Sequence, residues 1–178
     1  MSVEDEGRKF TIVDLIGKLP VHPTRKYRTR ELSMITRVVI HHSATPYYIE
    51  PEEIARFHVN GRGWPGIGYH YLVDHFGIIY KCWPASTVTY CVAQGNVPSL
   101  CVCLIGNFEE DKPTDKQLAA AAWLTREIVQ AYGIKDVLGH REVPAQFTKC
   151  PGKFLDMDEF RRMVLGRSFD HERGTGVQ

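Results

Sequence analysis

The stretch Val38-Val39-Ile40-His41-His42-Ser43-Ala44-Thr45 decides how the rest of the chain is read. Residues 35–40 are rich in β-branched side chains and read as a buried strand that delivers His41 at its end. A strand end suits a functional side chain, because the sheet fixes the backbone and the loop beyond gives access. The two histidines cannot easily act on one ion together, since neighbours on a strand point to opposite faces. One should face a site and the other the packed interior.

Working outward, a further histidine lies in Gly139-His140-Arg141-Glu142, followed by Thr148-Lys149-Cys150-Pro151-Gly152. A loop containing Pro144 separates His140 from Cys150 and can fold back to bring the two together. Two imidazoles and one thiolate suit a single zinc ion. Three protein ligands leave a fourth tetrahedral position open, the mark of a catalytic rather than a structural zinc. If the three converge, the chain is a hydrolase. The pattern is not a zinc finger, which needs two closely spaced ligand pairs, nor the His-Glu-x-x-His helix of many metalloproteases. A structural zinc would require a fourth protein ligand, and no obvious candidate presents itself.

The remaining elements give the sheet its frame. Pro51, with Glu52 and Glu53 behind it, opens a short helix that places Ile54, Phe57 and His58 along one face. Residues 60–66 form a Gly/Pro loop around Trp64. Residues 69–73 and 78–82 read as two strands joined at Asp74-His75-Phe76-Gly77, and residues 100–105 as another buried strand. Thr114-Asp115-Lys116-Gln117 has capping-box spacing, and the helix behind it aligns Leu118, Ala121, Ala122, Ile128 and Val129 before Gly133 ends it. Val137-Leu138 delivers His140, and residues 156–165 form a terminal helix. Strands interleaved with helices predict a single α/β domain. It has a central, mostly mixed β-sheet flanked by helices, with the metal site in a surface groove at strand ends. The expected divisions are an extension over 1–33, a catalytic domain over 34–166 and a flexible tail over 167–178.

Bulk properties bound the function. A chain of 178 residues is long enough for one domain with its own core. A net charge of +1 gives no reason to expect nucleic acid as the main partner. No apolar run approaches the roughly 18 residues that span a bilayer, so no membrane insertion is expected. No basic and apolar leader is visible at the N-terminus, which predicts cytoplasmic synthesis without a signal peptide. The basic cluster of Arg25, Lys26, Arg28 and Arg30 reads as a solvated surface arm. Five cysteines, an odd number without a leader, argue against a disulfide framework. Cys101 and Cys103 read as small buried apolar side chains.

Five segments in order resemble one family: the strand ending His41-His42-Ser43-Ala44-Thr45, then Gly66-Ile67-Gly68-Tyr69-His70-Tyr71-Leu72-Val73, Ile105-Gly106-Asn107-Phe108, Gly139-His140-Arg141 and Cys150-Pro151-Gly152. Together they resemble the zinc-dependent N-acetylmuramoyl-L-alanine amidases, which include phage amidase lysins and peptidoglycan recognition proteins. The likeness runs over about residues 36–154. It implies Zn2+ bound by His41, His140 and Cys150, and a catalytic role for Tyr69 beside it. Thr148 stands where lytic relatives can carry lysine and catalytic recognition proteins carry threonine, and the likeness makes it the second catalytic candidate, assisting at most through a hydroxyl hydrogen bond. Recycling-type cytosolic relatives usually bind zinc through an aspartate where Cys150 stands, and carry acidic residues in the strand that matches 100–105.

The resemblance implies hydrolysis of the amide between N-acetylmuramic acid and L-alanine in peptidoglycan, by a phage or prophage endolysin. The partner is the glycan strand with its stem peptide, and a monomer is expected to act on the wall after release from the cytoplasm. Alternatives are a peptidoglycan-binding module that does not cut, which would typically lack Cys150, and a cytosolic amidase recycling muropeptides. Trp64, His70 and Asn107 are the candidate substrate contacts. For His70 core packing weighs equally, and for Trp64 simple cover of the core. Glu142 reads as a structural ion-pair partner rather than a base.

Overall fold

A computed structural model describes residues 1–5 and 8–165. Seven strands form one sheet: β1 (Ser2–Asp5), β2 (Arg8–Asp14), β3 (Arg37–His42), β4 (Tyr71–Val73), β5 (Ile78–Lys81), β6 (Ser99–Leu104) and β7 (Asp136–Gly139). Their spatial order is β1-β2-β5-β4-β6-β3-β7. The sheet is mixed as predicted. β3 runs parallel to both β6 and β7, while β4 and β5 form the antiparallel hairpin. In its turn, Asp74 Oδ1 accepts the N–H groups of Phe76 and Ile78 at 3.0 and 2.9 Å.

Strand alternation sorts the central residues into two layers. Val38, Ile40, Leu100, Val102 and Leu104 face the larger core, under α2 (Asp115–Tyr132) and α3 (Met157–Val164). Cys103 and Ile105 face the other side, under Ile54 and Ala55 of α1 (Pro51–Arg56). Val39 and Cys101 pack beside them with Val92 and Val143. The strands that carry the site are thus covered on both faces, which is why they read as continuous apolar runs.

Thr114 caps α2, its hydroxyl accepting the Gln117 N–H at 3.1 Å. The Gln117 side chain does not close the predicted capping box. It is buried, and its amide donates to the carbonyls of Val73 and Ile105 at 2.9 Å each, tying α2 to two strand ends. Gly133 ends the helix with φ 63°, as its position predicts.

Two expectations are corrected here. The extension is only in part a solvated arm: Arg25, Lys26 and Arg28 are exposed as expected, but the described strands and Arg30 are built into the fold. β1 and β2 extend the sheet beyond β5, and Phe10 stacks on Trp123 of α2 with ring centroids 4.9 Å apart. Arg30 is buried and donates to the carbonyls of Ala85, Asn96, Val97 and Ser99, and Arg25 donates to Gly63. Counting charges missed this, because a guanidinium can be satisfied by backbone carbonyls that only the fold assembles. Secondly, Cys91 and Cys101 form a disulfide. The loop over residues 83–98, fastened by Arg30, folds Cys91 back onto β6, a proximity that spacing along the chain does not reveal. Cys103 is a buried free thiol, as expected. The tail over 167–178 lies outside the described residues.

Candidate metal centre

Register brings the first two predicted ligands together. β3 and β7 run parallel with Ile40 opposite Gly139, so the next residues along, His41 and His140, emerge side by side. Their ring centroids are 4.6 Å apart. His41 faces the α1 side of the sheet and is 1% exposed, whereas His42 turns toward Phe108. Cys150 arrives on the returning loop. Its carbonyl accepts the Arg141 N–H at 2.8 Å, which fastens the loop beside His140. Its Sγ lies 3.6 Å from His41 Nδ1. One donor atom from each of His41, His140 and Cys150 lies within 4.8 Å of the others.

The protonation states suit a metal. Burial, then the neighbouring His140, holds His41 well below the ordinary histidine range. Burial likewise lowers His140. Both rings are therefore neutral near pH 7, with lone pairs to offer. His140 Nε2 donates to Gln146 Oε1 at 3.3 Å, which leaves the Nδ1 lone pair free for a metal. Gln146 is held in turn, its amide donating to Ala93 O at 2.7 Å. Burial pushes the Cys150 thiol up to about 12, against the pull of the His42 N–H at 3.4 Å. That thiol is no free nucleophile at neutral pH, and a bound cation is what would take its proton. The donor set therefore fits zinc.

The other predicted residues divide. Tyr69 lies beside the three candidate donors, its ring centroid 5.3 Å from that of His41. Burial, then the sulfurs of Cys103 and Cys150, raises its hydroxyl well above the phenol range, so it stays a donor. Thr148 shapes the Cys150 loop, its hydroxyl accepting the Cys150 N–H at 3.1 Å. Trp64 joins an aromatic row with His58 and Tyr69 that leads to His41, with Arg62 over its face at 5.1 Å. Asn107 does two things. Its side chain accepts the Glu109 N–H at 3.3 Å in a turn, and it lines a cavity of about 840 Å3 with Tyr47, Tyr48 and Gln117. His41, His140 and Cys150 do not line that cavity.

His70 is corrected as a substrate contact. It is fully buried, with Nε2 bonded to Thr87 O at 2.9 Å and Nδ1 accepting the Cys101 N–H at 3.1 Å. It props strand to loop and cannot reach a ligand. His58 is also a packed residue, its Nδ1 accepting the Gly68 N–H at 3.1 Å. Glu142 is committed to the Gly139 N–H at 2.6 Å and to Arg161 at 2.8 Å. Burial would raise its carboxyl, but Arg161 and the Gly139 N–H outweigh that and hold it below the usual range. Sequence reasoning missed Gln146. It sits in an irregular loop and becomes meaningful only once that loop closes over His140.

Residues 31–153 match the family model described as N-acetylmuramoyl-L-alanine amidase. Peptidoglycan-recognition protein SD of Drosophila melanogaster is 34% identical over 107 residues, covering 58% of this chain and 56% of that protein. The Ph2119 endolysin of a Thermus scotoductus bacteriophage is 32% identical, with a TM-score of 0.74 over 86% of this chain and 98% of that one. The amidase LysC from Clostridium intestinale is 27% identical, with a TM-score of 0.70 over 85% of this chain and 99% of that one.

Proposed function

The chain belongs to the N-acetylmuramoyl-L-alanine amidase family, and from that premise we propose how its own residues cut the amide between N-acetylmuramic acid and L-alanine in peptidoglycan. His41, His140 and Cys150 hold zinc. Their convergence within 4.8 Å is the observation that carries the reading. Zinc, when bound, supplies Lewis acidity at the scissile carbonyl and a nucleophile at neutral pH. Gln146 keeps His140 in the ligating tautomer. The His42 N–H steadies the thiolate of Cys150. Tyr69, held protonated, donates a hydrogen bond to the oxygen on which charge develops. Thr148 sets the turn that presents Cys150, and Trp64 offers a half-buried ring to a sugar face.

The biological setting is that of an endolysin, supported by structural likeness to the Ph2119 and LysC enzymes over nearly their whole length. The protein is read as a monomer. Among the described residues no helix is long and apolar enough to cross a membrane. The complete ligand set favours cutting over recognition alone.

Purified protein incubated with peptidoglycan should release new L-alanine amino termini without new reducing ends, and chelation of the metal should stop it. Binding without release, on a zinc-loaded sample, would reduce the chain to a recognition module.

A further inference from the structure

His41 belongs to a second group of metal donors. One of its ring nitrogens and the sulfurs of Cys91 and Cys101 lie within 4.8 Å of one another, and all three residues are buried. Parallel pairing explains the placement. Val39 stands opposite Cys101 and His41 opposite Cys103, so Cys101 shares the sheet face that carries His41. The Arg30-fastened loop lowers Cys91 onto the same spot. His41 Nδ1 faces Cys150, while its Nε2 is buried with no hydrogen-bond partner. In the disulfide form Cys91 and Cys101 offer no thiolate, and only the set with His140 and Cys150 is complete.

We propose that opening the Cys91–Cys101 disulfide creates an alternative site for zinc, built from Cys91, Cys101 and His41, that competes with the amidase centre for His41. The proposal rests on the reading of His41 as a ligand of that centre. Two thiolates and one imidazole are a softer donor set than one thiolate and two imidazoles, and thiolate-rich sets favour soft d10 ions. The chemistry balances. A dithiol gives two electrons and two protons to the protein disulfide and closes to its own disulfide, leaving thiols on Cys91 and Cys101. Their protons pass to solvent as the metal binds. The redox state of one cysteine pair then decides where His41 is engaged. The enzyme is competent when the pair is oxidised and latent when it is reduced.

Cobalt(II) uptake tests this, because thiolate-to-cobalt absorption reports the number of sulfur ligands. Oxidised unmutated protein should show one thiolate per cobalt, lost in Cys150→Ser; a failure there sinks the amidase centre, not the second site. Anaerobic Cys150→Ser protein opened with dithiothreitol should show two thiolates per cobalt. The signal should disappear when Cys91→Ala is added. On the unmutated chain, zinc added after reduction should protect Cys91 and Cys101 from alkylation, mapped by mass spectrometry, and turnover should return when the pair is reoxidised. Reduced Cys150→Ser that takes up no cobalt, or takes it up without thiolate absorption, overturns the proposal. So does a disulfide that resists the dithiol in the folded protein, or alkylation of both sulfurs unaffected by zinc.

Discussion

Cys150 is the one thiol in the proposed donor set, and burial pushes that thiol up. Cys150→Ser is expected to lose stoichiometric zinc and all wall hydrolysis, measured as metal content and amino-terminus release on one sample. Full activity in that variant would contradict the mechanism. Tyr69→Phe should keep its zinc and lose turnover by roughly 10²-fold, the scale of one oxyanion donor; an unchanged rate removes Tyr69 from the catalytic set. Gln146→Ala should weaken zinc by roughly 10–100-fold, as loss of an outer hydrogen bond to a ligand does. Chelator competition reads this directly, and unaltered affinity would show that the His140 tautomer is set by something else. At this scale the candidate donors were legible because donor chemistry is local. Gln146 and the burial of His70 were not, because each depends on what a distant segment places beside it.

Among the elements, the loop that carries Cys150 has the tightest fit. Gly152 adopts φ +98°, and a Cβ there would meet the backbone of Phe108. Gly152→Ala should therefore lower both thermal stability and zinc content; a variant with wild-type values for both would show that the loop can shift without cost. The cap of α2 is separate from the site. Thr114→Ala should cost about 1 kcal/mol in denaturant unfolding while leaving turnover per zinc unchanged. The cap, the Gly133 terminator and the β4–β5 turn were readable because each is a short-range bond between near neighbours. The β1–β2 hairpin was overlooked, although Phe10 and Ile12 alternate with polar partners, because its apolar face matters only against Trp123 and α2.

Across the whole molecule, buried neutral histidines predict an acid limb to stability. Burial depresses His58 to about 4 and His70 to about 3. In the unfolded chain both titrate near the ordinary value of about 6.5. Below that pH the unfolded state binds protons that the folded state refuses. Stability is thus complete above about pH 6.5 and falls as pH drops toward 4, with each histidine adding a slope of roughly 1.4 kcal/mol per pH unit. Denaturant unfolding of zinc-loaded protein between pH 7 and 4 should show this, and His58→Gln should flatten it. An unchanged slope in that variant would mean that His58 is not refused its proton.

The sequence by itself determined the strand that ends in His41, the chemistry of the His41, His140 and Cys150 donors, and the α/β class. These follow from side-chain periodicity, donor type and short spacings. Tertiary structure alone decided which face each histidine takes, that Arg30 is buried under backbone carbonyls, and that Cys91 meets Cys101 beside His41. Those outcomes rest on strand register and on a loop fastened from a distance. The physical reason is one of range: propensity and donor chemistry belong to a residue and its neighbours. Proximity between residues far apart in the chain exists only once the sheet has set its order.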